Sequence, residues 1–520
     1  MRAEPGVLLA IGEEGTAVPA PPAPPRPPKP RLKSVERRQV CWRVIDTEQL
    51  IGPDHPARAI WDLLGRLQLE AYYQGIQAVE GRPGRDRSDP RLLIALWLYA
   101  LSRGVREARA LDAWAQYEPG CQWLLGLGRI NYHTLSDFVT QHAAALADLF
   151  VQLLQVLMAE GLADLERVAH DGTKIRAAAS RKSFKREARL AECRQLAEKH
   201  LAALQQQPAG ALRAARRKAQ ERAARERLER VRQAEAEWKR QQAEKAPAKQ
   251  AQVRASVTDA EAGIMRQGDG GFAPSYNAQI TTDAGHGVIV AYAASQAKED
   301  SQELQPALDR TRQNTGRSPA QALADGNFTT RQNILDTATG PTELIGSLGE
   351  DRSQNKLRRQ GVSPQFFSQR FVYEAPLDRY TCPAGKFLTR KGGKPLVGAT
   401  EKHYRAQPRD CQGCPFRAQC CPRTQQGRLV IRTEEHPQVA AFRRKMQQEK
   451  YRQIYRQRAQ VAEFSNACLK EKRGLRQFLR RGLAKVRAEL AWACLSCNVA
   501  IWTRRVWKVS LQVGTAPTCP

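Results

Sequence analysis

Residues 167–172 read Arg-Val-Ala-His-Asp-Gly, and residues 320–326 read Ala-Gln-Ala-Leu-Ala-Asp-Gly. Each is a short apolar run that stops at an aspartate followed by a glycine. Strand ends are where an α/β sheet presents its chemistry, and a glycine lets a ligand approach the backbone closely. Asp171 and Asp325 are therefore candidate partners for one divalent metal. Alone, each Asp-Gly pair is also an ordinary turn former. The decision rests on what surrounds them.

Working outward, Ser275–Thr282 and Val288–Ala294 read as two strands joined by Asp283-Ala-Gly-His-Gly287, a hairpin signal. Ser301–Asn314 reads as a helix closed by Gly316, Thr329–Thr337 as a second, and Glu343–Ser347 as a last strand. Three strands, a helix, a strand, a helix and a strand is the order of an RNase H-like mixed sheet flanked by helices. A helical stretch from Gln438 to about Lys472 completes it and offers Glu463 as a third carboxylate.

Ahead of this core the pattern is all helical. Ile60, Leu63, Leu64, Leu67 and Ala71 fall on one face of a helix. Asp89-Pro90 reads as N-cap and first helical residue of Arg91–Leu101. Thr134 with Asp137 suggests the start of a helix that reaches about Gly161. Short helices between Arg106 and Leu125 fit a helix-turn-helix and a plain bundle equally well. The expected division is a Pro-rich disordered tail over 1–38, a helical DNA-binding domain over 39–160, an α/β catalytic domain over 161–510 and a tail over 511–520.

Two insertions interrupt the catalytic core, about 177–262 and 348–436. Residues 181–250 carry 20 Lys/Arg against 9 Asp/Glu, a net of +11, with two aromatics, Phe184 and Trp238. This composition fits a basic helical arm that touches DNA or a charged helix that touches nothing. The second insertion holds Cys382, Cys411, Cys414 and Cys420, whose knuckle-like spacing makes a candidate structural zinc site. Reduced structural thiols are the alternative. Cys494 and Cys497 lie on an apolar helix and read as packing.

Lys and Arg number 83 against 53 Asp and Glu in 520 residues, a net charge of +30. Folding rarely needs such an excess, and it implies a polyanionic partner, DNA above all. The longest apolar run, Leu92–Leu101, has ten residues where a membrane span needs about 20. No membrane association and no secretory signal are expected, and twelve cysteines in a large basic chain fit reduced thiols.

The segment His170-Asp-Gly-Thr-Lys-Ile175 resembles the first catalytic-aspartate segment of bacterial insertion-sequence DDE transposases, and Leu323-Ala-Asp-Gly-Asn-Phe328 resembles their second. Tyr455, Arg458, Glu463 and Lys470 match the Tyr-Arg-Glu-Lys signature of one branch in order and nearly in spacing. Tyr276-Asn-Ala-Gln279, Asp300, Arg480-Arg-Gly-Leu-Ala-Lys-Val486, Asn498, Ala59-Ile-Trp61 and Tyr132–Phe138 resemble the same branch. Phe328 departs from its usual tyrosine, and Ala462-Glu-Phe-Ser-Asn466 from a Glu-Pro-x-Phe-Gly-like segment.

The resemblance implies a DNA transposase that cleaves transposon ends and transfers strands into target DNA. A nuclease without strand transfer and a decayed DNA-binding copy are the alternatives. Asp171, Asp325 and Glu463 would hold Mg2+ or Mn2+. Tyr455, Arg458, Lys470, Lys174, Arg473, Arg480 and Arg481 would contact DNA. A homodimer on terminal inverted repeats and a cytoplasmic, nucleoid-associated location in bacteria follow. Helix geometry adds that Glu463 and Lys470, seven residues apart, share a face within about 20°, while Arg458 points away from it.

Overall fold

The computed structural model describes residues 40, 44–74, 76–78, 86–206, 214–348 and 353–513. The expected Pro-rich tail over 1–38 lies outside the described residues, as does most of the C-terminal tail. The chain divides at residue 45, and everything below concerns the unit from Asp46 onward.

Helices come first: α1 Pro56–Gly65, α2 Pro90–Ser102 and α3 Ala143–Ala159, with shorter ones between. Asp89 caps α2 by accepting from Arg91 N, as expected, with Pro90 at the first position. α1 stops at Gly65, so Leu67 packs beyond it and Ala71 falls in a separate short helix. The helix before α3 is capped by Asn131, not Thr134: its side chain accepts from Thr134 N at 2.9 Å. That helix ends at Gln141, and the chain bends by 76° before α3 begins. Among the described residues no single helix is long and apolar enough to cross a membrane. The bent pair passes only jointly, and Leu146, Leu149, Phe150, Leu153, Leu154 and Leu157 of α3 are buried in the protein core.

The central sheet holds β1 Arg167–Arg176, β2 Gly263–Arg266, β3 Phe272–Asp283, β4 Ile289–Ser295, β5 Gln321–Ala324 and β6 Glu343–Gly346. Its main path runs β4-β3-β1-β5-β6, with β2 on the outer half of β3. β1, β3 and β4 are antiparallel neighbours; β5 and β6 are parallel to β1. The hairpin between β3 and β4 turns on buried Asp283, whose carboxylate accepts from Gly285 N at 3.0 Å and Leu165 N at 3.2 Å.

The first insertion folds into α4 Glu187–Gln206 and α5 Ala214–Ala243, an antiparallel helical hairpin. Its base is seated: Trp238, Leu190 and Ala234 pack on Val253 and Ala255, and Glu237 accepts from Gln296 at 3.2 Å. The arm therefore touches the body, against the reading of a helix that touches nothing. Two helices follow on the sheet, α6 Leu304–Thr315, closed by Gly316 at φ +72°, and α7 Arg331–Ala338, capped by Thr330. The second insertion is a five-stranded antiparallel sheet, β7 Val372–Glu374, β8 Arg379–Thr381, β9 Phe387–Leu396, β10 Ala399–Ala406 and β11 Leu429–Glu435. Only its last strand shows in the sequence, as the strand-like run Leu429–Ile431.

The expected long helix from Gln438 is broken. α8 Pro437–Gln447 ends at Gln448, α9 Glu449–Ala467 follows, and Cys468–Lys472 is a π-helical turn. α10 Leu483–Trp502 is buried nearly all round and packs against α2, α3 and β4. One apolar core thus runs from Ile51 to Trp507, through the N-terminal helices and the sheet alike. Cys497 of α10 is joined to Cys468 of the π turn, Cα–Cα 6.4 Å, while Cys494 is a fully buried thiol. The expectation of reduced thiols throughout is corrected there: two buried cysteines at that separation are within disulfide reach.

Candidate active site

Asp171 and Asp325 meet because of strand register. In the parallel pair β1–β5, His170 lies opposite Ala324, so the next residues on the two strands, Asp171 and Asp325, come side by side. β5 ends there, as expected. β1 does not: it continues to Arg176 because its other edge stays paired with β3, Asp171 opposite Ile280. Asp171 is consequently mid-strand and partly buried, at 21% side-chain exposure, with Asp325 at 27%. Asp325 also caps its own loop, accepting from Asn327 N at 2.8 Å.

Both carboxylates converge on Arg458 of α9. Its Nη2 donates to Asp171 Oδ1 at 3.0 Å and lies 3.7 Å from Asp325 Oδ2. The second oxygen of Asp171 accepts from Asn466 Nδ2 at 2.9 Å. Burial raises the Asp171 carboxyl above the usual carboxylate range; the Arg458 guanidinium opposes this and the Asp325 charge adds to it. Arg458 therefore points at the aspartates while Glu463 does not, as the helix arithmetic that set the two on different faces requires.

Glu463 is exposed, and no hydrogen bond or ion pair among the described residues joins it to either aspartate. The reason lies in the seating of α9. Ser465 Oγ hydrogen-bonds Thr282 Oγ1 at 2.7 Å, and the Phe464 ring lies against Gly287, where an added Cβ would stand 2.8 Å from it. This seating presents Arg458 and Asn466 to Asp171. Glu463, three residues before Asn466, lies about 60° further round the helix. Lys470 donates to Thr173 Oγ1, on the same strand as Asp171, and burial lowers its ammonium. Lys470 lies within the π turn, which changes the helical register between it and Glu463.

The remaining basic candidates divide. Tyr455 packs half-buried over Ala169, Leu323 and Ile345, and burial raises its phenol. Lys174 pairs with Asp300 at 2.9 Å. Arg473 is buried and donates to Ser496 O at 2.7 Å, with burial pushing it down to about 10. Arg480 lies beside buried Glu489, its backbone N donating to that carboxylate at 3.0 Å. Arg473 is thus committed inside the protein, while Lys174 and Arg480 are partly exposed and already paired with carboxylates of the protein. Arg481 is exposed.

The other face of β1 holds what sequence reasoning misread. An added Cβ at Gly172 would meet Asp300 Oδ1 and Gln279 Nε2, each at 2.7 Å. The glycine serves close packing there rather than the approach of a ligand. Asp300 Oδ1 accepts from Lys174, Asn277 at 2.7 Å and Gln279 at 2.9 Å. His170 is fully buried between Thr281 and the edge of Phe328.

Cys382, Cys411, Cys414 and Cys420 line one small cavity with Cys421 at the base of the second insertion. Burial holds the Cys420 thiol up at about 12. The sequence placed these cysteines together correctly. Among the described residues, however, no three His, Cys, Asp or Glu side chains form a group that would hold a metal ion, so the geometry lends zinc no support.

Residues 381–501 match the family model of the transposase DDE domain. That span includes Tyr455, Arg458, Glu463, Lys470 and the cysteine cluster, and excludes Asp171 and Asp325. The match supports a transposase function and hence a nucleic-acid-cleaving enzyme. No curated protein matches the chain. Among solved structures, the cryo-EM structure of a piggyBac transposase synaptic complex with hairpin DNA aligns at 8% identity and a TM-score of 0.31. The alignment covers 88% of this chain and 76% of that one.

Proposed function

We propose that this chain is a DNA transposase of the Asp-Asp-Glu class on an RNase H-like sheet, cleaving transposon ends and transferring them into target DNA. The observation that carries the reading is the convergence of Asp171 and Asp325, from neighbouring parallel strands, on one guanidinium. The strand path β4-β3-β1-β5-β6, three antiparallel strands followed by two parallel ones, supports the fold assignment.

Two carboxylates aimed at a common positive group make a donor set that fits a hard divalent cation. Mg2+ or Mn2+ takes a few carboxylates and fills its remaining positions with water and phosphate oxygens. Asp171 and Asp325 would hold it, and Glu463 would have to turn inward to join them. When bound, such ions activate water and stabilise both oxygens of an in-line phosphoryl displacement. The chain's own groups do the positioning. Arg458 carries a charge-assisted donor that suits a phosphate as well as a carboxylate. Lys470, held by Thr173, adds a cation beside Asp171. Arg481 and the basic arm would track the backbone further out. A homodimer on paired inverted repeats, at the bacterial nucleoid, belongs to the same reading.

Purified protein with labelled terminal-repeat DNA in Mg2+ tests it. Joined products are expected. Cleavage without joining would leave a nuclease, and a mobility shift without cleavage a DNA binder.

A further inference from the structure

We propose that Asn466 is the positioning residue of Asp171, holding one carboxylate oxygen so that the other is aimed at Asp325. The inference rests on the reading of Asp171 and Asp325 as one ion-binding pair. Asp171 has two oxygens, and α9 addresses each with a different kind of donor. Oδ1 meets the Arg458 guanidinium at 3.0 Å, and Oδ2 meets the Asn466 amide at 2.9 Å. The two differ in what they do when a cation arrives. A guanidinium is a charge, repelled by a divalent ion placed between the same two carboxylates. A neutral amide gives a hydrogen bond without opposing that ion. Asn466 is thus the partner that persists, and Arg458 the one that exchanges its carboxylates for a phosphate.

The mount of Asn466 is stiff. Its neighbour Ser465 is hydrogen-bonded to Thr282 on β3 and is 2% exposed, and Phe464 closes on Gly287. Two residues on, at Cys468, the helix continues into the π turn joined to Cys497. Asn466 is therefore fixed from the sheet side and from α10. Outer partners that orient a ligating carboxylate typically matter 10–100-fold in metal affinity.

The experiment measures Mn2+ binding to the full chain, without DNA, by electron paramagnetic resonance of the free ion. The variants are Asn466→Leu, Asn466→Gln and, as control, Asp325→Ala. Asn466→Leu keeps the branched shape and removes the donor; it should weaken Mn2+ binding roughly tenfold, with the thermal midpoint little changed. Asn466→Gln, which returns an amide on a longer stem, should recover part of the loss. If Asp325→Ala abolishes binding and Asn466→Leu leaves it within about twofold, Asn466 positions nothing. Equal losses of affinity and thermal midpoint in both Asn466 variants, with no recovery by Gln, would make the residue merely structural and overturn the proposal. Unchanged binding in Asp325→Ala would instead remove the ion site itself, and the proposal with it.

Discussion

His170 sits one residue before Asp171 and is fully enclosed. Burial, with a smaller contribution from the Arg310 guanidinium, lowers its imidazole to about 4, and the Asp300 charge opposes this weakly. The ring is therefore neutral in the folded protein at pH 6, where an exposed histidine starts to protonate. A folded-state value below the unfolded one adds stability that is complete above the unfolded value of 6.5 and is lost as pH falls toward 4. The full swing is on the order of 3 kcal/mol. Urea midpoints measured from pH 7 to pH 4.5 should fall, and His170→Gln, which does not titrate, should flatten part of that slope. A slope unchanged by the substitution would place the proton uptake elsewhere. At this scale the sequence was read well where register alone decides: Asp171 and Asp325 follow from two apolar runs ending in Asp-Gly. It was read poorly where a helix must be seated. Asn466 carried no signal, because its importance comes from Ser465 and Phe464 fixing the rotation of α9.

Among the elements, the arm of α4 and α5 shows how a charge count overstates a surface. Arg194, Arg217, Arg225, Arg232 and Arg240 are engaged with glutamates of the arm itself. Arg216, Lys218, Arg222, Arg227 and Lys239 are exposed and carry no ion pair among the described residues. These, with Lys199, are available to phosphates. Replacing Lys218, Arg222 and Arg227 by alanine should lower the slope of log affinity against log salt by about one unit for every phosphate no longer neutralised. Replacing the paired Arg217 and Arg225 should leave the slope unchanged. A mobility-shift salt series on both variants checks the division; equal slopes would mean that the arm stands clear of DNA. Helix and strand periods exposed these elements in the sequence, but four of the five strands of the second insertion stayed hidden. β9 is largely exposed and holds Gly392, Gly393 and Pro395, so it lacks the apolar alternation that marks a strand.

For the whole molecule, the expected separation into a helical domain and a catalytic domain meets a single apolar core. α10, near the end of the chain, packs on α2, and Arg106 pairs with buried Glu489. The sequence could not show this, because both helices are apolar nearly all round and nothing in such a pattern names a partner. The chain's net charge of +30 fits distributed DNA binding, whereas the proposed chemistry is confined to a few groups. Asp325→Ala separates the two. In the intact protein Asp325 draws on Arg458 from 3.7 Å and presents negative charge toward any phosphate that approaches. Its removal relieves that repulsion and leaves Arg458 with one carboxylate partner, so DNA affinity in the absence of divalent ions should hold or rise. Cleavage should disappear, because a carboxylate that would hold the ion has gone and hard cations need such ligands. Mobility shifts in chelator, run beside a cleavage assay in Mg2+, give both answers from one preparation. Weaker DNA binding would mean that Asp325 supports the fold of the interface, and retained cleavage would move the active site away from β1 and β5.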